Sequence, residues 1–279
     1  MKKIEKPDFR VTEILTCCYK SVTDEDFKRR LSDSITEIEK YTYEFEEKCA
    51  HNQVHELRDE YTSIKLNKDE MIWLYENKLA NQKGAGRKYY DSIKLLSSDG
   101  RCPFCKIGQV STVDHFMAKS IFPGLAVSPL NLIPACRDCN TKKKDNRFTT
   151  SENTLLHPYY DDISMEIWLK AKIIEEEPIS VIFSVIKPDI WSDCLYKRTK
   201  VYFESFQLMS LYGFQAVDEI INVRDKLVKI KASLGEVGVF KDLKESVESF
   251  EKIELNSWRA ALYRELATNE WFVNEYLKD

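Results

Sequence analysis

No stretch of this 279-residue chain is apolar for long enough to cross a bilayer, which takes about 20 consecutive, mostly apolar residues. Nothing at its start resembles a signal peptide, so the expectation is a cytoplasmic protein with reduced thiols and no disulfide framework. No G-x-x-x-x-G-K-[ST] loop is present; if ATP is used, another chain supplies it. Internal repeats and low-complexity tracts are also absent. With 43% hydrophobic residues, the chain is long enough for one large core or two domains.

What is present is a concentration of chemistry between Cys102 and Asn140. Cys102-Pro-Phe-Cys105 and Cys136-Arg-Asp-Cys139 are two C-x2-C pairs. A turn of that length aims two sulfurs at one point, and four thiolates make a closed structural Zn2+ site. The gap from Cys105 to Cys136 is long enough to hold a hairpin. The other four cysteines, Cys17, Cys18, Cys49 and Cys194, show no paired spacing and read as core or incidental residues. Cys49, His51 and His55 outline a second metal site, but no fourth ligand stands nearby.

Between the pairs, Gln109 to Val113 is β-prone and delivers Asp114-His115. Gly124 and Pro129 break the chain, and a second short strand or loop carries Asn131 to Pro134. From Cys136 the pattern turns helical, with Asn140, Lys142, Lys143 and Lys144 following Cys139. The order is strand, strand, helix.

This segment, roughly residues 99 to 148, resembles an HNH nuclease of the ββα-metal type, in the subclass stapled by two C-x2-C pairs. The resemblance places the motif histidine at His115 after Asp114 and the middle asparagine at Asn131. At the last position, commonly histidine, this chain has Asn140, whose amide oxygen suits Mg2+ or Mn2+ better than Zn2+.

The chemistry follows from the residues as well. Phosphodiester cleavage needs an activated water, a cation on the phosphate and a stabilised leaving oxygen. His115, whose side-chain type titrates near about 6.5, is the candidate general base. Asp114, pointing the other way on a strand, reaches a catalytic Mg2+ or Mn2+ together with Asn140. Asn131 has donors and acceptors enough to pin the intervening loop so that His115 faces the phosphate. An isolated Asp-His or Asn-Leu means little; weight comes from their order inside the cysteine brackets.

From Lys83 to Arg147 there are 12 Lys or Arg against five Asp and no Glu, in a chain whose net charge is −4. Such a basic island steers a polyanion to one face. Lys119, Lys143, Arg87 and Lys88 are the candidate nucleic-acid contacts, the last two in Gly84-Ala-Gly86-Arg87-Lys88-Tyr89-Tyr90, a hinge-like loop leading to a short helix. His157-Pro158-Tyr159-Tyr160 loosely resembles a stretch that follows the knuckle in such proteins; His157 either supports the site or packs the tail back on it.

The flanks frame this centre. A capped start at Thr23 opens a helix over 23 to 49, and Met71, Trp73, Leu74 and Leu79 suggest another. Trp168 to Ile174 and Ile179 to Ile186 read as strands, and 195 to 234 and 241 to 276 as helices with Gly235 and Gly238 between. The predicted class is α+β: a helical region (1-82), the ββα core (83-162), and a C-terminal strand pair with helices (163-279). The expected partner is nucleic acid, DNA before RNA, and no membrane. An ATPase partner is implied by resemblance to bacterial defence systems that pair an ATPase with a small HNH protein. A binding module without catalysis and a ribonuclease stay open as alternatives.

Overall fold

The computed structural model describes all residues except Lys2, residues 60–63, residues 144–146 and Asp279, so Lys144 of the lysine run lies outside the described residues. The chain forms two compact units, Met1–Asp162 and Ile163–Asp279. The class is α+β.

The first unit begins with α1 (Val11–Tyr19) and α2 (Glu25–Ala50). The cap of α2 is Asp24 rather than Thr23: its carboxylate accepts the Phe27 N–H at 2.8 Å, and Glu25 and Asp26 add negative charge to the first turn. Leu31, Ile38, Phe45 and Cys49 recur at helical spacing on the buried side. A capping box between Asn67 and Glu70 opens α3 (Lys68–Trp73), which runs into a π-helical turn over Leu74–Leu79. Glu70 also receives a two-pronged hydrogen bond from Arg30 of α2 (2.6 and 2.7 Å), which locks the two helices in register. The Gly84–Gly86 segment is a packed turn rather than a hinge. A Cβ on Gly84 would sit 2.4 Å from the Lys78 carbonyl oxygen, and the Gly86 N–H donates to that same oxygen at 2.7 Å. It leads into α4 (Arg87–Leu95).

Two short strands follow, β1 (Thr112–His115) and β2 (Leu132–Ala135), antiparallel, with Asp114 opposite Ile133 and His115 opposite Leu132. Next comes α5 (Arg137–Lys142). Val113 faces Pro134 in the register, and a proline has no N–H to give. The Val113 peptide groups are satisfied from the other side instead: its N–H donates to the Tyr90 hydroxyl (3.2 Å) and its carbonyl accepts from Tyr75 (3.3 Å). Val113 and Leu132 are buried in the same core as Ile14, Leu15, Leu31, Met71, Leu79 and Ile93, so the helices form the floor on which the hairpin rests.

In the second unit, β3 (Leu169–Ile174) pairs antiparallel with β4 (Ser180–Val185), and Leu169, Ala171, Ile173, Val181 and Phe183 face inward by strict alternation. Three α-helices follow, α6 (Asp193–Ser205), α7 (Leu208–Ile253) and α8 (Trp258–Leu266), with α7 packed on β4 and α8 on β3, and then a π-helical turn over Phe272–Tyr276. The helix boundaries differ from the predicted pair. The expected helix over 195 to 234 is interrupted at Gln207, which adopts φ 53°, and α7 passes through Gly235 (φ 69°) as a kink and continues. The expected helix over 241 to 276 stops at Ile253 because Asn256 is used elsewhere. Its amide accepts the Trp168 and Leu169 N–H groups (2.9 and 3.2 Å) and donates to the Glu166 carbonyl (2.7 Å), tying the start of β3.

Candidate functional site

The four bracketed cysteines are gathered in the fold. All are buried, and their sulfurs lie within 4.8 Å of one another. The first pair is shaped by a tight loop: the Cys102 N–H donates to the Gly108 carbonyl (2.7 Å), Lys106 takes a left-handed φ of 58°, and the Gly108 N–H donates to Cys105 Sγ (3.3 Å). The second pair doubles as a helix cap, since Cys136 Sγ accepts the Cys139 N–H at 3.4 Å and opens α5. Hydrogen bonds from the Cys102, Cys136 and Cys139 thiols and the Gly108 N–H hold Cys105 well below the usual thiol range, while the same sulfur contacts push Cys102 and Cys139 up, so the metal-free cluster concentrates its negative charge on Cys105. Cys105 and Cys136 sulfurs are 3.9 Å apart, matching the roughly 3.8 Å edge of a tetrahedron with Zn–S bonds of about 2.3 Å. The donor set and its spacing fit a structural zinc.

Among the described residues no second such cluster occurs, and Cys49, His51 and His55 do not assemble one. His51 Nδ1 instead lies 2.8 Å from the Glu47 carbonyl, and His55 Nε2 lies 3.8 Å from Glu56. Burial pushes the Cys18 thiol up to about 12, an inert core sulfur.

Because the thiol cluster fixes the start of α5, it also fixes which side chains α5 lays across β1. Asn140 Nδ2 donates to Thr112 Oγ1 (3.1 Å), which leaves the amide oxygen as its remaining donor atom for a cation. One turn on, Lys143 reaches Asp114, with Nζ 3.2 Å from Oδ2 and 3.4 Å from Oδ1, and it donates to the His115 carbonyl as well. Thr112 and Asp114 share one face of β1, as alternate residues must.

His115 projects from the opposite face. Its Nε2 lies 2.9 Å from the Ala126 carbonyl, and the Tyr75 ring packs edge-on against it at 4.3 Å between centroids. A carbonyl only accepts, so in the neutral ring Nε2 carries the proton and Nδ1 the lone pair. The loop bearing Ala126 is pinned by Asn131, which is fully buried at 0% exposure. Asn131 Oδ1 accepts from the Met117 N–H (2.7 Å), and Nδ2 donates to the Met117 and Leu125 carbonyls (3.0 and 3.1 Å). Every hydrogen bond of that amide goes to backbone between Met117 and Leu125, the loop that leaves β1 and returns to β2.

The His157-Pro158-Tyr159 stretch supports the same loop. His157 Nδ1 accepts the Tyr159 N–H (3.2 Å), so its Nε2 is the donor toward the Leu130 carbonyl (3.1 Å), and the Tyr159 hydroxyl donates to the Leu132 carbonyl (2.8 Å). Asn131 is thereby clamped by its two neighbours. Asp161 completes the turn by accepting the His157 N–H at 2.7 Å.

The remaining cations are placed unequally. Lys119 pairs with Glu76 and lies over the Tyr75 ring at 5.2 Å, next to the ring that touches His115. Arg87 is committed to Asp91 and the Ala80 carbonyl and stacks over Tyr90, while exposed Lys88 sits over Tyr89 at 4.8 Å. Lys143 is buried, at 5% exposure. Sequence reasoning did not find Tyr75 or the Ala126 carbonyl, and it read Tyr90 as part of a nucleic-acid grip and not as the acceptor of the Val113 N–H. The tyrosines belong to helical stripes that look like any core face, and a main-chain acceptor has no signal at all.

Residues 102–146 match the HNH endonuclease family. Protein ea31 of Escherichia phage lambda is 34% identical over 225 residues, covering 76% of this chain and 74% of that protein. Septu protein PtuB of Bacillus thuringiensis is 29% identical over 87 residues, 29% of this chain and 33% of that protein. No solved structure matches. No helix among the described residues is long and apolar enough to cross a membrane.

Proposed function

The chain belongs to the HNH endonuclease family, and from that premise we propose that it is a metal-dependent endonuclease that hydrolyses phosphodiester bonds of nucleic acid, with DNA as substrate. The observation that carries this reading is the division of labour on β1: Asp114 faces α5 and His115 faces the Asn131-pinned loop, in consecutive residues. Asp114 and Asn140 offer only oxygen donors, one a buried carboxylate already balanced by an ammonium, a set that fits Mg2+ or Mn2+. When bound, that cation supplies Lewis-acid activation and charge neutralisation at the scissile phosphate.

The protein's own residues do the rest. His115 Nδ1 takes a proton from the attacking water, with the ring held in one tautomer by the Ala126 carbonyl. Asn131 keeps that carbonyl in place and is a positioning residue. Lys119 and Lys88 hold the nucleic-acid backbone, Lys119 from beside Tyr75; Arg87, tied to Asp91, contributes charge more than contact. In this reading residues 1-82 brace the hairpin, 83-162 cut, and 163-279 carry an accessory role. The likeness to Septu protein PtuB supports a defence role, in which an ATPase would be a separate chain that co-purifies.

The test is cleavage of supercoiled plasmid with Mg2+ or Mn2+ against EDTA, comparing wild type with His115→Ala. Nicking by the wild type alone, with a loss of about a hundredfold to ten thousandfold in the variant, supports the assignment. Metal-dependent cutting retained in His115→Ala moves the base elsewhere, and binding without cutting by either protein favours a zinc-stabilised binding module. Preferential cutting of RNA would make the enzyme a ribonuclease.

A further inference from the structure

The contact between Lys143 and Asp114 is unusual for a site that is to receive a cation. Both side chains are nearly enclosed, at 6% and 9% exposure, with the ammonium 3.2 Å from one carboxylate oxygen and 3.4 Å from the other. Placed only for packing, such a pair costs the desolvation of two ions. At this position it has a second effect: it sets a positive charge against the buried Asp114 carboxylate before any metal arrives.

Two cations cannot share that carboxylate comfortably, because at such separations like charges repel strongly in a low-dielectric site. The backbone of Lys143 does not have to move for the ammonium to leave. Its N–H is bonded to the Cys139 carbonyl at 3.1 Å, and α5 is anchored at its other end by Cys136 and Cys139. What can move is the flexible four-carbon stem of a compact point charge.

Building on the reading of Asp114 as a metal ligand, we infer that Lys143 is a displaceable counter-ion: it neutralises Asp114 until a divalent cation takes the carboxylate, and then turns to the phosphate of the bound nucleic acid. Cation binding and nucleic-acid binding are therefore coupled through one side chain. The coupling is reciprocal, since a phosphate that attracts the ammonium also empties Asp114 for the metal.

The experiment measures Mn2+ binding by the loss of its free electron paramagnetic resonance signal, using the zinc-loaded 279-residue chain. The variants are Lys143→Gln and Lys143→Met, which remove the charge, Lys143→Arg, which keeps it, and Asp114→Ala. Zinc content and melting temperature establish that each is folded, and either neutral variant suffices. Lys143→Gln or Lys143→Met should bind Mn2+ about tenfold more tightly, Lys143→Arg within about twofold of wild type, and Asp114→Ala should lose the site. In a His115→Ala background, which blocks cutting, Lys143→Gln should weaken binding of a short DNA duplex severalfold with Mn2+ present and leave it unchanged when no divalent cation is added to the zinc-loaded protein. Unchanged or weaker Mn2+ binding in the neutral variants overturns the counter-ion role, and equal DNA loss with and without metal overturns the handover. Undiminished Mn2+ binding by Asp114→Ala would instead bring down the ligand assignment beneath both.

Discussion

Gly108→Ala is the sharpest probe of how the thiol cluster is built. A Cβ at this position would lie 2.8 Å from Cys136 Cβ and 2.9 Å from Cys136 Sγ, where atoms of this kind ordinarily rest about 3.5 to 4.0 Å apart. The obstacle is a ligand held to the backbone at the first residue of a helix cap, so it cannot swing aside as a long side chain would. The two loops must part by about 1 Å, several times the roughly 0.2 Å tolerance of metal–ligand distances. Overpacking of this kind costs about 1–3 kcal/mol, which in a unit of this size lowers the melting temperature by about 3–10 °C. The assay is zinc content together with the rate at which a chromophoric chelator strips the metal, and we expect stripping at least about tenfold faster than in wild type. Gly100→Ala is the control: Gly100 has φ +68° and nothing within 4 Å of its would-be Cβ, so it strains the backbone without touching the sulfurs. Gly108→Ala with full zinc and wild-type resistance to the chelator would refute the argument from close approach.

Three further outcomes are expected. Asn131→Asp turns a carboxylate oxygen toward the Met117 and Leu125 carbonyls and should destabilise the first unit by about 3 kcal/mol, read by urea denaturation; an unchanged midpoint would mean the loop is held by other contacts. His157→Phe keeps the ring but loses the Tyr159 N–H acceptor and the donor to Leu130, for about 1–3 kcal/mol by the same measurement, while zinc content stays full; zinc loss would place His157 in the metal site after all. Asn256→Ala leaves the Trp168 and Leu169 N–H groups without their acceptor and should speed amide exchange at the start of β3, with no change in zinc content; protection equal to wild type would show that β3 does not depend on it.

Much of the centre was legible because its residues work through short, fixed spacings. Two C-x2-C pairs, a β-prone run ending in Asp114-His115 and a polar helix after Cys139 read correctly as strand, strand, helix, and the separation of Asp114 from His115 follows from the alternation of any strand. The C-terminal strand pair was equally plain from its β-branched runs. The helices after it were not, because Gln207 and Asn256 end helices for reasons that lie in a left-handed turn and in a strand some 90 residues away.

Local chemistry thus fixed the class of the protein: which residues can bind zinc, which can move a proton, and in what order they come. Long-range packing chose what each of them touches. That Lys143 lies on Asp114 instead of in solvent, that His115 Nε2 meets the Ala126 carbonyl, and that the Tyr75 and Tyr90 hydroxyls close the open edge of β1 depend on partners 11 to 38 residues apart. Sequence spacing carries information only over the few residues of a turn, strand or helix cap. Beyond that range, proximity is set by how whole elements pack against one core, which no short pattern encodes.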